Sequence, residues 1–458
     1  MDWHAIPFND RFIIYRPRLP LAFIGNQALV RYIERRLSDA VPPAADIEAF
    51  LDPMGFWTAD PAPPADWAPS EPHLPTTAVL LMTSECNLRC TYCYADGGAG
   101  PHLAMTSGIA RRVIDAACDN AAARGDKGFE LAFHGGGEPT ALWPVFTEAV
   151  AHAKGKALAC DISLTTNGMW NATQRDFILA HVNGVSLSYD GLPAVQDRQR
   201  PTPDGRGSAE RVLANIGAMD EAGLDYGIRL TATAESFAEL PAGIEYLCRQ
   251  TACRHFQIEP AFNQARGGYA DPRSAGAEAF VAGFLAAYEV ACEHGRSLKY
   301  SGARPGMMTG AFCRAPEHAI VATPEGDLVT CFEVCSRRHP FIAHFTVGSV
   351  DEEGVHFDPA ALARYAAAQP GRRDRCRGCF CEWQCGGDCA AKCLASGNGE
   401  GRCQVNRDIT RELLGWEIAR CDGVWRGWPH SVVCSEQDAA TFISTSLVDR
   451  SLGSGPKP

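Results

Sequence analysis

Between residues 76 and 300, short apolar runs alternate with amphipathic stretches. In the amphipathic stretches, such as 109–123 and 209–222, apolar residues recur at helical spacing. The runs between them have strand length and lie at 78–82, 129–133, 162–166, 185–189, 226–233 and 256–259. Alternating strand and helix units predict an α/β fold with a parallel sheet. We expect a partial (β/α)6 TIM-like barrel, with an open doubly wound sheet as the alternative.

The same pattern divides the chain into five parts. Residues 1–60 predict a small N-terminal α+β unit, with strands at 11–15 and 21–24 and a helix at 27–37. Six prolines between residues 61 and 75 predict a linker, because proline lacks an N–H and fixes φ. The barrel is expected at 76–300 and a cysteine-rich domain at 301–405. Residues 406–458 predict the end of a helix spanning 405–420, followed by a disordered Gly/Ser/Pro tail.

Charge and composition narrow the partners and the location. The net charge of −12 argues against nucleic acid, whose binding requires clustered Lys and Arg. No apolar run is long enough to cross a membrane, and the N-terminus lacks the pattern of an export signal, so we expect a cytoplasmic protein. Twenty cysteines in such a protein favour metal ligation over disulfides. Isolated cysteines in apolar segments, such as Cys118, are expected to be core residues.

Three cysteines follow the first predicted strand within eight residues, in the order Cys86-x3-Cys90-x2-Cys93. Three thiolates can hold a cubic iron–sulfur cluster and leave one iron open. An open iron can chelate the amino and carboxylate groups of a small ligand. The alternative is a structural zinc site with a distant fourth ligand.

This loop resembles the signature of the radical S-adenosylmethionine (radical SAM) superfamily. Further landmarks follow the next three strands: Gly-Gly-Gly-Glu-Pro at 135–139, Thr-Thr-Asn-Gly at 165–168 and Ser-Leu-Ser-Tyr-Asp-Gly at 186–191. Each alone is typical of a turn, and their order at successive strand ends carries the resemblance. The resemblance implies that the cofactor contacts are Tyr92 near the adenine, Gly136, Gly137 and Glu138 at the methionine amino group, Asn167 after the third strand, and Ser188 and Arg200 at the ribose and carboxylate.

A second cysteine array begins at Cys313 and ends at Cys403. It resembles the SPASM tail of one radical SAM subgroup, which binds auxiliary [4Fe–4S] clusters. The resemblance implies a nearer auxiliary site and a farther one, with the ligands Cys313, Cys331 and Cys389 for the former and Cys376, Cys379, Cys385 and Cys403 for the latter. Because Met307 occupies the place of a cysteine found in some relatives, the nearer site is either open or completed by Cys335. A pair of zinc sites is the alternative for this region.

The family resemblance also implies the reaction. Its enzymes reduce S-adenosylmethionine at a [4Fe–4S] cluster, with electrons from a flavodoxin or ferredoxin, and the resulting 5′-deoxyadenosyl radical abstracts hydrogen from the substrate. Enzymes with this tail act mostly on peptides or proteins, as in the maturases of ribosomally made precursor peptides and of sulfatases. Sulfatase maturases carry Asp where this chain has Phe332, which favours peptide oxidation or cross-linking over formylglycine formation.

Three points stay open at the level of sequence. The N-terminal unit either recognises the peptide or is a structural extension of the barrel. A zinc-binding interaction protein without catalysis is the non-enzymatic alternative. No spacing in the sequence singles out a catalytic acid or base.

Overall fold

The computed structural model describes residues 1–261, 276–396 and 402–427, with backbone only at 370–373. The disordered tail predicted for the end of the chain falls at 428–458, outside the described residues. The strands are β1 His4–Phe8, β2 Arg11–Arg16, β3 Leu21–Gly25, β4 Thr77–Leu81, β5 Gly128–His134, β6 Ala159–Thr166, β7 Gly184–Ser188, β8 Asp225–Ala232, β9 His255–Pro260, β10 Ser297–Lys299, β11 Ala319–Ala322, β12 Asp327–Val329, β13 Thr346–Val350, β14 Val355–Phe357 and β15 Val424–Trp425.

The helices are α1 Gln27–Leu37, α2 Ala45–Leu51, α3 Ser107–Arg124, α4 Trp143–Lys154, α5 Ala172–His181, α6 Pro193–Gln199, α7 Ala209–Ala222, α8 Leu240–Gln250, α9 Ala277–Glu293, α10 Ala315–His318, α11 Ile342–Phe345, α12 Pro359–Asp374, α13 Glu382–Cys385, α14 Ala390–Ala395 and α15 Cys403–Arg420. Two short 3-10 helices lie at Pro139–Leu142 and Phe237–Glu239.

Among the described residues, eleven strands form the main sheet, in the order β10-β9-β8-β7-β6-β5-β4-β11-β12-β13-β14. Strands β4 to β9 correspond to the six predicted apolar runs, and each is parallel to its neighbour. Their spatial order follows the chain without a reversal. Because parallel crossovers are right-handed, such an order puts the connecting helices on one face of the sheet. A doubly wound sheet would reverse its order, so the partial-barrel prediction is confirmed.

Helix α3 illustrates why these segments fold locally as they do. The hydroxyl of Thr106 accepts a hydrogen bond from the amide of Ile109 at 3.2 Å and so caps the helix start. Gly125, at a φ of 75°, ends the helix in the left-handed conformation that glycine tolerates best. Between the caps, Val113 and Ile114 are fully buried against the sheet. Burial of each such side chain contributes about 1.5–3 kcal/mol.

The N-terminal unit contains a small antiparallel sheet that is completed by β15, a strand from the C-terminal part of the chain. The two predicted strands and the predicted helix are present as β2, β3 and α1, and β1 and α2 were missed. Strand β15 pairs with β3, with Trp425 opposite Ala22. Ile13 and Tyr15 pack with Leu414 of α15 in one apolar cluster. The N-terminal sheet therefore lies against the last helix.

The cysteine-rich region contributes strands to the main sheet, which the sequence analysis did not anticipate. Strand β11 is wholly buried and pairs in parallel with β4. Strands β12 to β14 continue the sheet as antiparallel neighbours, and β12 and β14 span three residues each. Runs this short carry no measurable periodicity, which is why they were missed. The predicted helix at 405–420 is confirmed as α15.

Within the described residues, we find no helix that combines the length and the apolar character required to span a bilayer.

Candidate functional site

The loop with the first three cysteines lies between β4 and α3, at the carboxyl end of β4. Its backbone is fixed by hydrogen bonds to the last residue of α6 and to the segment just beyond it. The amide of Arg89 donates to the carbonyl of Pro201 at 2.7 Å, and the amide of Thr91 donates to the carbonyl of Gln199 at 2.9 Å. The crossover that follows β7 therefore holds the cysteine loop in place.

The glycine-rich turn after β5 lies directly on the start of this loop. The amide of Gly137 donates to the carbonyl of Thr83 at 2.6 Å, and the amide of Glu138 donates to that of Glu85 at 2.7 Å. A Cβ on Gly137 would lie 1.9 Å from the Glu85 carbonyl oxygen, so only glycine fits. Gly136 has a φ of 101°, which also favours glycine. The cysteine loop and the glycine turn are therefore in direct contact.

Glu138 is buried beneath this turn and accepts hydrogen bonds from the protein itself. Its Oε1 accepts from the hydroxyls of Thr140 at 2.7 Å and Thr166 at 2.8 Å, and its Oε2 accepts from the amide of Asn167 at 2.8 Å. Burial raises the pKa of Glu138, against the opposing effect of these donors. Glu138 thereby joins the end of β5 to the end of β6.

Asn167 turns its side chain toward the first cysteine. Its Nδ2 donates to Oδ1 of Asn87 at 2.7 Å and lies 3.7 Å from Sγ of Cys86, while its Oδ1 accepts from the amide of Met169 at 2.9 Å. Hydrogen bonds to cluster sulfurs are one means by which proteins tune cluster potentials. Asn167 is thus placed to act on the environment of Cys86.

A buried acid after β7, Asp190, was not singled out by the sequence analysis. Arg200 pairs with it through two hydrogen bonds, Nε to Oδ2 at 2.9 Å and Nη2 to Oδ1 at 3.1 Å. The hydroxyl of Tyr92 donates to Oδ2 of Asp190 at 2.6 Å, and the guanidinium of Arg200 lies 5.3 Å from the Tyr92 ring. Two of the predicted cofactor contacts are therefore positioned by this acid. The third nearby, Ser188, is half-buried at the end of β7.

The signal that could have identified Asp190 is its place in the Ser-Leu-Ser-Tyr-Asp-Gly run, directly beyond a strand end. Acids at the carboxyl ends of parallel strands are common in functional sites.

The three cysteines predicted for the nearer auxiliary site interact with one another. Burial raises the pKa of the Cys331 thiol, and Glu333, Cys389 and Cys313 contribute to the shift. Cys331 follows β12, whereas Cys389 comes directly before α14. The tertiary fold therefore brings together cysteines that lie far apart in the chain.

The four cysteines predicted for the farther site also form one group. Burial raises the pKa of Cys376 to about 12, with contributions from Cys379 and Cys403. Cys385 has both Cys376 and Cys403 among its charge neighbours. Cys381, which the sequence pattern leaves without a role, is buried and forms a hydrogen bond with Cys379 that lowers the pKa of Cys379.

Cys335 lies beside the first cysteine loop. Its thiol donates to the carbonyl of Phe332 at 3.2 Å and forms a hydrogen bond with Tyr94. A Cβ on Gly136 would lie 3.2 Å from Cβ of Cys335, and Cys93 contributes to the raised pKa of the Cys335 thiol. Burial is the largest cause of that shift. Cys335 therefore occupies the space between the glycine turn and the nearer auxiliary cysteines.

A single metal ion needs thiolates at about 2.3 Å from one centre. In the parts of the chain that the structure describes, no three His, Cys, Asp or Glu side chains are placed to bind one ion. The cysteines there are thiols rather than disulfides.

The site lies in a segment that matches a known protein family. Residues 80–236 match the model of the radical SAM superfamily. These residues form a radical SAM domain. The matched residues include the cysteine loop, the glycine turn, Asn167 and the Asp190–Arg200 pair.

Similar proteins include maturases. A serine-type anaerobic sulfatase-maturating enzyme of Klebsiella aerogenes is 25% identical over 354 residues, which cover 72% of this chain and 84% of that enzyme. The solved structure of anSMEcpe with bound AdoMet and Cp18Cys peptide matches with a TM-score of 0.58 at 14% identity, covering 76% of this chain and 99% of that one. SuiB of Streptococcus suis, solved with its precursor peptide SuiA, matches with a TM-score of 0.50 at 14% identity, covering 71% and 74%. The structural matches establish the shared fold.

The residues present fit the cofactors that radical SAM enzymes use, a [4Fe–4S] cluster and S-adenosylmethionine. The cysteines of the first loop are half-buried and lie close together, since Cys90 and Cys93 both contribute to the raised pKa of Cys86, whose largest cause is desolvation. The turn at Gly136 and Gly137 packs directly on the backbone of this loop, where a side chain on Gly137 would collide with Glu85. The match to the radical SAM model and the maturase relatives favour an enzyme over a non-enzymatic zinc protein.

Proposed function

We propose that this radical SAM enzyme is a peptide maturase that oxidises or cross-links a ribosomally made precursor peptide. Three supports for this come from different levels. The curated relatives are maturases, two matching folds have been solved with peptides, and Cys331 and Cys376 each have other C-terminal cysteines as charge neighbours, as the SPASM resemblance implies.

The observation that carries the choice of reaction is the surroundings of Phe332. Its ring stacks on His134, next to the glycine turn, with ring centres 4.8 Å apart. The family resemblance implies that sulfatase maturases have a carboxylate at this position. This chain has the phenyl ring of Phe332 there. The next acid, Glu333, pairs with Lys392 at 3.2 Å. An apolar ring at that position disfavours removal of a proton from a serine or cysteine of a sulfatase.

We assign the first cluster to Cys86, Cys90 and Cys93. The SAM contacts are assigned to the set that the family motifs imply, which is Tyr92, Gly136, Gly137, Glu138, Asn167, Ser188 and Arg200. Within this set, Gly136 and Gly137 allow the turn to lie directly on the cysteine loop. Glu138 holds Asn167 through its buried carboxylate, and Asp190 orients Arg200 and Tyr92.

We propose two auxiliary [4Fe–4S] clusters, one at each group of C-terminal cysteines. We assign Cys313, Cys331 and Cys389 to the nearer one, and Cys376, Cys379, Cys385 and Cys403 to the farther one. Because Cys335 lies beside Tyr94 and Cys93, we favour an open fourth position on the nearer cluster over ligation by Cys335.

When bound, the first cluster and SAM supply a 5′-deoxyadenosyl radical, using one electron from a reductant such as a flavodoxin or ferredoxin. The peptide then loses one hydrogen atom to this radical, and afterwards one proton and one electron. Auxiliary clusters held by the C-terminal cysteines would supply an acceptor for that electron. The balance is two hydrogens lost from the peptide for each S-adenosylmethionine cleaved.

The N-terminal unit is proposed to recognise the peptide. Among the described strands, β1 pairs with β2 alone, so its outer edge can accept a further strand. The other edge of that sheet is taken by β15.

A sulfatase-maturase reaction is the second candidate, because the curated relatives carry that name. Both are tested by anaerobic co-expression with the peptide frames or sulfatase frames that neighbour the gene. Mass loss of two hydrogens within a precursor peptide, absent with Cys90→Ala, supports the first candidate. Formylglycine at a serine or cysteine of a sulfatase peptide, with no change in any precursor peptide, overturns it in favour of the second.

A further inference from the structure

Arg402 and Asp388 form a buried ion pair between the two groups of auxiliary cysteines. Arg402 comes directly before Cys403 of the farther group, and Asp388 directly before Cys389 of the nearer group. The Arg402 amide donates to Oδ2 of Asp388 at 2.8 Å, and its Nη2 donates to Oδ1 at 3.0 Å. The exposed fractions of the two side chains are 7% and 1%. The ion pair thus links the residue before Cys403 of the farther group to the residue before Cys389 of the nearer group.

The same guanidinium also reaches the last strand of the six-stranded barrel. Nη1 of Arg402 donates to Oε2 of Glu259 at 2.8 Å and to the hydroxyl of Ser301 at 3.2 Å. Glu259 belongs to β9, and Ser301 follows β10. Arg402 therefore connects both cysteine groups to the wall of the barrel.

Aromatic rings cover this cation. The guanidinium lies 5.3 Å from the centre of the Tyr300 ring and 5.5 Å from that of Phe312. Phe312 is the neighbour of Cys313 in the nearer group. An arginine keeps its charge when buried, and charges in such surroundings are screened less than charges at a surface.

We propose that Arg402 and Asp388 are positioning residues that set the reduction potential of the nearer auxiliary cluster and hold the two auxiliary sites in register. This inference rests on the auxiliary clusters of the proposed function. A fixed positive charge near a cluster favours the added electron, and a fixed negative charge opposes it. The pair gives the nearer site one charge of each sign, from residues that bind no iron themselves.

The two charges make opposite predictions, which a purely structural role does not. Arg402→Gln removes the positive charge and lowers the potential of the nearer cluster. Asp388→Asn removes the negative charge at nearly constant shape and raises it. We expect each shift to be about tenfold in the reduction equilibrium, which is about 59 mV for a one-electron couple. Arg402→Lys retains the charge without the planar fork, and its potential stays near that of the unaltered protein.

The experiment is an anaerobic redox titration of the reconstituted full-length protein, followed by electron paramagnetic resonance. Iron and sulfide are counted in the same samples. Arg16→Gln is the matched control, because Arg16 is another buried arginine in an ion pair, with Asp60 of the N-terminal unit. Its auxiliary potentials are expected to match those of the unaltered protein.

Shifts of opposite sign in Arg402→Gln and Asp388→Asn support the proposal. Shifts of equal sign, or none in a protein with full iron content, overturn it. If Arg402→Gln does not fold, a rise in potential in Asp388→Asn supports the proposal, and no rise overturns it. Unaltered protein that takes up iron for the first cluster alone would instead refute the auxiliary clusters of the proposed function.

Discussion

The amide of Asn167 donates a hydrogen bond to the buried carboxylate of Glu138 at 2.8 Å, although the two residues are 29 positions apart. This bond joins the glycine turn after β5 to the end of β6. The side chain of Asn167 in turn lies against Asn87 and Cys86. The conformation of the glycine turn and the surroundings of the first cysteine are therefore mechanically linked.

Replacement of Glu138 should weaken this link. Glu138→Ala leaves the Asn167 amide and the hydroxyls of Thr140 and Thr166 without their buried acceptor. Each unsatisfied buried group costs about 1–3 kcal/mol, so we expect a loss of about 2–4 kcal/mol in the free energy of unfolding and weaker SAM binding. Urea denaturation and calorimetric titration with SAM measure the two effects.

The matched control is Glu148→Ala. Glu148 lies on α4 at the surface and pairs with Arg111, and solvent screens such exposed pairs, so they contribute little to stability. A loss in Glu138→Ala no larger than in this control would contradict the role of Glu138 as a buried acceptor.

Removal of the side-chain amide of Asn167 should shift the reduction potential of the first cluster. Asn167→Ala deletes the N–H group that lies 3.7 Å from Sγ of Cys86. Because hydrogen bonds to cluster sulfurs favour the reduced state, the first cluster's reduction potential should become more negative. Asn171→Ala serves as control, since it removes the cap of α5 and costs about 1 kcal/mol of stability. An equal potential in both variants would refute the effect.

Loss of Asp190 should be costly. Asp190→Ala leaves Arg200 as a buried charge without its partner, which costs about 3–5 kcal/mol. We expect Asp190→Ala to unfold at a lower urea concentration than the unaltered protein and to lose SAM cleavage. Arg198→Ala, which breaks the surface pair with Glu239, should change the free energy of unfolding by about 0–1 kcal/mol. Equal losses in the free energy of unfolding in Asp190→Ala and Arg198→Ala would contradict a stabilising role of the Asp190–Arg200 pair.

Substitutions in the first cysteine loop and in the auxiliary cysteines should have different effects on SAM cleavage and iron content. Cys90→Ala should abolish SAM cleavage and remove the iron of the first cluster, whereas Cys379→Ala should reduce the iron content and leave SAM cleavage in place. Cys118→Ala, in the buried face of α3, should retain both. Iron and sulfide analysis and chromatography of 5′-deoxyadenosine measure these outcomes. Full cleavage by Cys90→Ala would contradict the assignment of the first site.

The stability of the protein should fall in acid because of His134. Burial, with help from Arg229, lowers the pKa of His134 from 6.5 to about 3. The folded state thus disfavours the proton that the unfolded chain binds below pH 6.5. The contribution is therefore fully present above pH 6.5 and is lost as the pH falls toward about 3, at up to about 1.4 kcal/mol per pH unit. Urea denaturation between pH 7.5 and 5 should show a steeper loss for the unaltered protein than for His134→Asn.

Much of the fold was predictable because strand and helix periodicity depend on near neighbours in the chain. Helices α1 and α7 begin and end at the predicted residues, and α15 begins two residues before the predicted start. The short strand β15 was not predictable, since two residues carry no periodic signal and Trp425 finds its place only against Tyr15.

The sequence by itself determined the barrel strands, the cysteine loop and the glycine turn, because spacing along the chain encodes each of these. Only the tertiary structure decided that Asp190 orients Arg200, that Cys335 lies by Tyr94 and that Arg402 pairs with Asp388. These pairs depend on which strand ends and loops meet in space. A parallel sheet brings its carboxyl ends to one edge, and the partners that meet there come from distant parts of the chain.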